Sequence, residues 1–247
     1  MLPLADDVPQ RRAPVLTALV IAVWVTVWII QWLRPDDGNL ANSRQAIDCR
    51  WGMVPDHLIH GSDTGAASLC TRLNEEHNRF LELLTAQFLH ASWWHSVGNV
   101  LFLWVFGASV ESRLGRIRFL PFIIACGTVA LVAEAMTGAS GDAPVIGGSG
   151  IVAGVLGAYI VLFPRARVWA LVVIIPLRLP AWVLLVAWFG YQLVFALGTT
   201  DGGIAYWAHV AGFAVGALLI RPASTGRPPP ERPGPTNGPE PVAGVAA

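Results

Sequence analysis

Three polar side chains that could carry out acyl transfer lie near the ends of apolar runs. His95, Ser149 and His209 each lie within about four residues of the end of such a run, at one common depth if all three runs are helices that cross a membrane in the same direction. A serine hydroxyl beside an imidazole is an activated nucleophile with its general base. Asn99 follows His95 by one helical turn and points the same way. His95, Asn99 and the Ser149 backbone N–H are therefore candidate donors to a developing oxyanion.

Small residues around Ser149 and His209 predict that their two helices pack closely. In lipid, small side chains at intervals of four let helix backbones approach one another. If these two faces meet, Ser149 and His209 come within hydrogen-bond reach as a catalytic dyad. The small residues around Ser149 are Gly147, Gly148, Gly150, Gly154 and Gly157, and those around His209 are Ala208, Gly212 and Gly216.

Each of these residues also has a structural interpretation, because a lone Ser or His in a span can serve only helix packing. Their coincidence at one depth favours the catalytic interpretation. A zinc site has little support, since His90 and His95 are five residues apart and Glu134 is the one acidic residue near this layer. We expect no metal and no cofactor. An α/β-hydrolase elbow is excluded because Ile151 occupies the last position of G-x-S-x-G and the context is an apolar helix.

The composition places the chain in a lipid bilayer. Of 247 residues, 54% are apolar and 13% are charged, whereas a soluble domain has about a quarter of its residues charged. The 16 basic residues, all Arg, balance 16 acidic ones. A nucleic-acid partner has little support because no long basic run occurs.

Apolar runs of about 20 residues, the length that crosses a bilayer, predict an all-α polytopic membrane protein with six transmembrane helices. The apolar stretch 168–176 is too short to span, so we interpret it as a buried or interfacial connector. The predicted spans are residues 13–33, 93–110, 117–136, 149–163, 180–197 and 205–220.

Arginine placement predicts the orientation of these spans. Arg residues flank the N-terminus, the second-to-third and fourth-to-fifth connections and the end of the last span, so the positive-inside rule makes both termini cytoplasmic. The expected organisation is a cytoplasmic N-terminus at 1–12, a membrane domain at 13–221 with an outer loop at about 34–92, and a disordered Pro-rich cytoplasmic tail at 222–247. The expected location is a bacterial-type plasma membrane.

Two of the three cysteines lie in the predicted outer loop. Cys49 and Cys70 share a side that is oxidising in a bacterial-type membrane, whereas Cys126 lies within the third span. We predict a disulfide between Cys49 and Cys70. Two unpaired structural cysteines are the alternative.

Five segments of the sequence resemble the rhomboid intramembrane serine proteases. Residues 88–99 read FLHASWWHSVGN and resemble the start of the family's second helix. Residues 147–150 read GGSG and resemble its nucleophile motif, and residues 208–212 read AHVAG and resemble its base motif. Residues 51–55 and 107–115, which read WGMVP and GASVESRLG, are also similar to the family.

The resemblance implies a role for each candidate residue. It makes Ser149 the nucleophile, His209 the general base, and His95 and Asn99 oxyanion donors, with His90 a structural support of the outer loop. It implies that the substrate is a transmembrane helix of another protein, cut near its outer end beside a small residue. Some members carry a Tyr that stacks on the base at the position of Ala153, so here the base must be oriented in another way.

Other residues and functions remain open from sequence. Glu111 and Arg113, at the opposite end of the second span, are interpreted as structural, and the role of Glu134 is left undecided. A non-catalytic protein that binds or escorts membrane proteins is the alternative function, although such relatives are expected to lack the Ser or the His. A transporter is a further alternative, but it would need a midplane site or repeats. The expected partners are transmembrane substrates and the bilayer.

Overall fold

The computed structural model describes residues 1–34, 43–61, 70, 78–137, 143–198 and 204–224, with side chains to residue 220. The predicted tail lies outside the described residues from 225 onward. The described chain is mostly helical. Its helices are α1 (Val15–Trp32), α2 (Arg44–Trp51), α3 (Pro55–His60), α4 (Arg79–Thr85), α5 (Trp93–Phe102), α6 (Ala108–Leu114), α7 (Arg116–Thr137), α8 (Ser149–Leu162), α9 (Ala181–Gly198) and α10 (Tyr206–Ser224).

Three of the described helices, α1, α7 and α9, are long and apolar enough to cross a membrane. The Ser149–Leu162 and Tyr206–Ile220 helices are apolar but shorter. The predicted second span is helical throughout, because a π-turn at Leu103–Gly107 joins α5 to α6. Every predicted span thus falls on a helix, while the count of six membrane crossings and the predicted domain boundaries stay predictions.

Helices α8 and α10 form the tightly packed centre of the bundle. Every residue of α8 from Gly150 to Tyr159 is buried. A Cβ atom at Gly212 would lie 2.6 Å from the carbonyl oxygen of Gly150, and one at Gly216 would lie 2.5 Å from the carbonyl carbon of Gly154. The small faces therefore pack as their spacing predicts, and the glycines are required because no side chain fits between the backbones.

A three-stranded antiparallel sheet lies at the opposite end of α8 from Ser149. Its strands are β1 (Leu2–Asp6), β2 (Arg167–Val172) and β3 (Ile175–Pro180), in the order β1-β2-β3. The predicted connector at 168–176 is thus part of a hairpin, and the strand in the N-terminal segment was not predicted. Val168 and Ala170 point inward and are fully buried in the main hydrophobic core, which explains why an apolar stretch too short to span is needed there.

The first loop folds against the end of the bundle that carries Ser149. Cys49 and Cys70 form a disulfide, which confirms the predicted pairing. Met53 is fully buried and its backbone exchanges hydrogen bonds of 3.1 and 2.8 Å with Val145. This bridge connects the first loop to the segment that leads into Ser149.

Candidate active site

Ser149 is the first residue of α8, and a strained glycine turn positions it. Gly147 has a φ of +128°, a conformation that other residues rarely adopt, and its N–H donates to the Ala86 carbonyl at 2.8 Å. Gly148 is the N-cap; its carbonyl accepts from Val152 N at 3.0 Å. The N–H groups of the first helical turn have no partner within the helix, so the Ser149 N–H is available to a ligand beside the Ser149 hydroxyl.

His209 lies in the first turn of α10 and is held by groups from two other helices. Its Nδ1 lies 2.8 Å from Gln192 Oε1, and its ring centroid lies 5.9 Å from that of Trp188. Both partners belong to α9 and are one turn apart. Glu134 Oε2 of α7 accepts a hydrogen bond of 3.0 Å from Ala208 N. Glu134 therefore anchors the start of the helix that carries His209, which answers the question that the sequence left open.

His95 and Asn99 lie one turn apart on α5, which Ser92 caps by accepting a 3.2 Å hydrogen bond from His95 N. The His95 ring packs on Gly147, where an added Cβ would lie 2.6 Å from the ring Cε1 atom. Asn99 is buried, and its Nδ2 atom has no hydrogen-bond partner among the described residues. A buried amide without a partner is costly, so this donor is free for a group that enters the site.

The four predicted site residues line one cavity of about 510 Å³. Among the described residues no hydrogen bond joins Ser149 to His209, whose Nδ1 pairs with Gln192 instead; such catalytic contacts are often long in a ligand-free enzyme and tighten with substrate. The cavity thus brings a candidate nucleophile, a candidate base and three candidate oxyanion donors around one space. Its walls also include Trp94, Gly98, Phe102, Pro144, Val152, Trp188, Gln192 and Ala205.

His90 connects the first loop to this site. Its N–H donates to Gln31 Oε1 at 3.0 Å, and its ring lies 5.5 Å from the Trp24 ring and 5.4 Å from the His95 ring. Burial, together with the charge of His95, lowers the pKa of His90 to about 3, so this imidazole is neutral. Its position agrees with the supporting role that the resemblance implies.

The sequence did not single out Gln192 or Trp188, although a signal for Gln192 was present. Gln192 is the one amide in the apolar run 180–197, and a polar group in a span marks function. Counted from the outer ends of their predicted spans, Gln192 and His209 lie at similar depths, but depth alone does not show which helices are neighbours. The cavity shows which helices meet.

Comparison with known proteins places the chain in a family. A family model described as "Rhomboid domain" matches residues 77–224. "Rhomboid protein 1, mitochondrial" of Saccharomyces cerevisiae is 31% identical over 145 residues, which cover 56% of this chain and 40% of that protein. The chain therefore spans less than half the length of this curated relative. Because the family model covers more than half of the chain, including α5 to α10, the chain belongs to the rhomboid family and is an integral membrane protein.

Proposed function

We propose that this protein is an intramembrane serine endopeptidase that cleaves transmembrane segments of other membrane proteins. The observation that supports this most is the cavity shared by Ser149, His209 and the unpartnered Nδ2 atom of Asn99. Rhomboid family membership suggests intramembrane protease activity. These residues supply the chemistry that such an activity needs at one place in the fold.

The proposed reaction proceeds in two halves. Ser149 Oγ attacks the scissile carbonyl as His209 takes its proton, and the resulting oxyanion accepts hydrogen bonds from His95, Asn99 and the Ser149 N–H. His209 then donates its proton to the leaving amine, the C–N bond breaks and an acyl-enzyme ester remains. Water attacks that ester with His209 again as base, which releases the acid and restores Ser149.

The proposed orientation has both termini in the cytoplasm and the cavity near the outer face. It is supported by the Arg distribution and by β1, which pairs with β2 so that the N-terminal segment and the α8–α9 connection lie at the same end of the fold. A cysteine at Gly198 should react with an impermeant thiol reagent added outside intact cells, and one at Arg116 should not. The reverse pattern would invert the topology.

Cleavage of a model single-span substrate tests the function. Purified wild-type and Ser149→Ala proteins are incubated in detergent with the same substrate, and the products are quantified. Product from the wild type alone supports the protease. Equal product from both contradicts it, and binding of the substrate by both proteins without product would favour a binding or escort function.

A further inference from the structure

We infer that Gln192 is a positioning residue that sets the orientation and tautomer of the His209 imidazole. This inference rests on the proposed function, because it assigns a role in the same dyad. Ala153, one turn after Ser149 on α8, has a methyl group that cannot stack on the base, and it is fully buried against the α10 interface. The restraint on the imidazole comes from α9 instead.

Two residues of α9 restrain the ring on two sides. Gln192 is buried, and its Oε1 atom contacts the ring edge through Nδ1 at 2.8 Å. Trp188 lies against the ring at a centroid distance of 5.9 Å and an interplanar angle of 38°. Residues four apart on a helix project in the same direction, so a single face of α9 supplies both contacts.

The hydrogen bond has a chemical consequence for the base. An amide oxygen is only an acceptor, so the contact between Gln192 Oε1 and His209 Nδ1 is a hydrogen bond only in the tautomer that carries its proton on Nδ1. The Nε2 atom then holds the lone pair that can take a proton from Ser149. An apolar residue at position 192 would leave both tautomers and several ring orientations accessible, which reduces the fraction of molecules with a competent base.

The test compares Gln192→Met with Gln192→Glu. The Met side chain has a similar length but no hydrogen-bond acceptor. In Gln192→Met, kcat should therefore fall about tenfold, which corresponds to the free energy of one hydrogen bond, and KM should change little. The Glu side chain restores the acceptor and, as a carboxylate, stabilises the imidazolium, so kcat should recover and the acidic limb of the kcat/KM profile should move to higher pH. A merely structural Gln192 would show loss of folded protein in both variants without a change in the pH profile.

A second measurement separates this inference from the proposed function. Nitrogen-15 spectra of histidine-labelled protein report which ring nitrogen of His209 carries the proton, whether or not the protein cleaves anything. The wild type and Gln192→Glu should show a protonated Nδ1, and Gln192→Met should show a mixture of tautomers. Identical spectra in all three proteins would overturn the positioning role, while the wild-type pattern with no turnover would contradict only the proposed function.

A different observation, at the other end of the molecule, carries a second inference. The structure assigns the β2–β3 turn to insertion into the headgroup region of the adjacent lipid leaflet. The turn residues Val173 and Ile174 are 84% and 82% exposed, and the neighbouring Ile175 is 58% exposed. Three adjacent β-branched apolar side chains at the tip of the hairpin are therefore largely exposed.

The backbone of the β2–β3 turn is unusual for a turn that is surrounded by water. Val173 has a φ of +59° and is the one residue other than glycine with a positive φ among the described residues. Two-residue hairpin turns favour Asn and Gly at such positions, and a β-branched residue there is strained. The turn therefore combines a strained backbone with exposed apolar side chains. Insertion into lipid would bury these side chains, and the free energy of that burial would offset the cost of the strain and of the exposure.

The lipid assignment follows from the continuity of this sheet with the membrane-facing surface of α9. The Ala181 N–H, at the start of α9, donates to the Ala166 carbonyl at 2.8 Å, so the hairpin and the helix meet directly. Trp182 on that helix is 51% exposed and Trp169 on β2 is 45% exposed. Trp169 pairs across the strands with Arg178. Tryptophan and arginine next to an apolar tip are typical of a membrane interface.

Spin-label accessibility tests this assignment in vesicles of phosphatidylcholine and phosphatidylglycerol. Ile174→Cys and the exposed control Arg12→Cys, both in a Cys126→Ala background, are labelled with a nitroxide and reconstituted. The label at residue 174 should be more accessible to oxygen than to a water-soluble nickel chelate, and the label at residue 12 should show the reverse. Equal aqueous accessibility at both sites would overturn the assignment, and so would spin–spin broadening at residue 174, which would show contact with a second copy.

Discussion

The hydrogen bonding of buried polar groups differs between the two ends of the bundle. At the end that carries the sheet, the Glu111 carboxylate accepts hydrogen bonds from Leu16 N at 3.0 Å, Thr17 N at 2.7 Å and Thr17 Oγ1 at 2.8 Å. The Asp6 carboxylate there accepts 2.8 and 2.7 Å hydrogen bonds from Ser109 and Tyr159. These groups are saturated and connect the N-terminal segment to the bundle.

At the end that carries Ser149, some of the polar groups face a cavity. Asn99 Nδ2 has no partner among the described residues, and His95 and Ser149 line the same space. An unsatisfied buried donor costs stability, and the proposed function accounts for its retention, because the oxyanion of a bound substrate would accept its hydrogen bond. Hydrogen-bond saturation distinguishes Asn99 from Asp6 and Glu111, but it is not sufficient to identify a catalytic residue, because both ring nitrogens of His90 at this end also lack a partner among the described residues.

The largest expected effect comes from removing the base at the cavity end. His209→Ala should lower cleavage of the model substrate by roughly 10³-fold or more, because it removes the proposed general base for the Ser149 hydroxyl. The matched control is His60→Ala, which removes an exposed imidazole of α3 and should leave turnover unchanged. Equal losses in both variants would show that histidine removal disturbs folding rather than proton transfer.

Asn99→Ala should cut kcat by about 10²-fold while KM and the melting temperature change little, because an oxyanion donor strengthens its hydrogen bond as negative charge develops. His95→Ala should show a similar or smaller loss. Asn78→Ala is the contrasting variant, because Asn78 Oδ1 caps α4 by accepting a 3.1 Å hydrogen bond from Leu81 N. Loss of this cap should lower the free energy of unfolding by about 1 kcal/mol without affecting kcat. An Asn99 variant that melts early and turns over normally would assign Asn99 to packing.

Glu111→Ala should act on stability alone. It leaves the buried Thr17 N–H and hydroxyl without their acceptor, which should cost about 3 kcal/mol. The kcat of the folded fraction should stay at the wild-type value, as measured by turnover normalised to folded protein. A loss of kcat that exceeds the loss of folded protein would break the distinction between the two ends.

The smallest effect is a pH dependence in the first loop. Burial raises the pKa of Asp48 from 3.8 to about 6, although the hydrogen bond that Asp48 accepts from Gln31 acts to lower this pKa. The unfolded chain therefore loses this proton at lower pH than the folded protein, so Asp48 lowers stability as the pH rises from about 4 to 6. Asp48→Asn should be more stable than the wild type at pH 7 by about 1 to 2 kcal/mol and equal to it near pH 4.

Melting curves of both proteins at several pH values measure this difference. The lowered pKa of His90 acts in the opposite direction, since it removes stability as the pH falls below about 6.5. Because both proteins contain His90, its contribution cancels in the difference between them. A difference that does not change with pH would show that Asp48 is not the titrating group.

Much of this arrangement could be predicted because its determinants are local or periodic. Counting residues from the ends of the predicted spans placed His209 and Ser149 in one layer, and the small residues predicted the close approach of α8 and α10. The pairing of Cys49 with Cys70 followed from a shared compartment. Asn99 was placed beside His95 because residues four apart lie on one helix face.

The parts that the sequence missed depend on long-range contacts with no periodic signal. Strand β1 exists because Leu2 pairs with Leu171, and nothing in a five-residue strand indicates so distant a partner. Glu134 bonds to the backbone N–H of Ala208, a donor that is present in almost every residue type. The Gln192–His209 contact likewise depends on which helices are neighbours, which apolar spans alone do not specify.

Covalent labelling tests whether the cavity that contains Ser149 is a serine hydrolase site. Folded wild-type protein in detergent is treated with a fluorophosphonate, and the modified residue is located by tandem mass spectrometry. We expect one adduct, on Ser149, and we expect His209→Ala to abolish it in protein that is still folded. An adduct on another residue, or labelling of Ser149 at an unchanged rate in His209→Ala, would contradict this expectation.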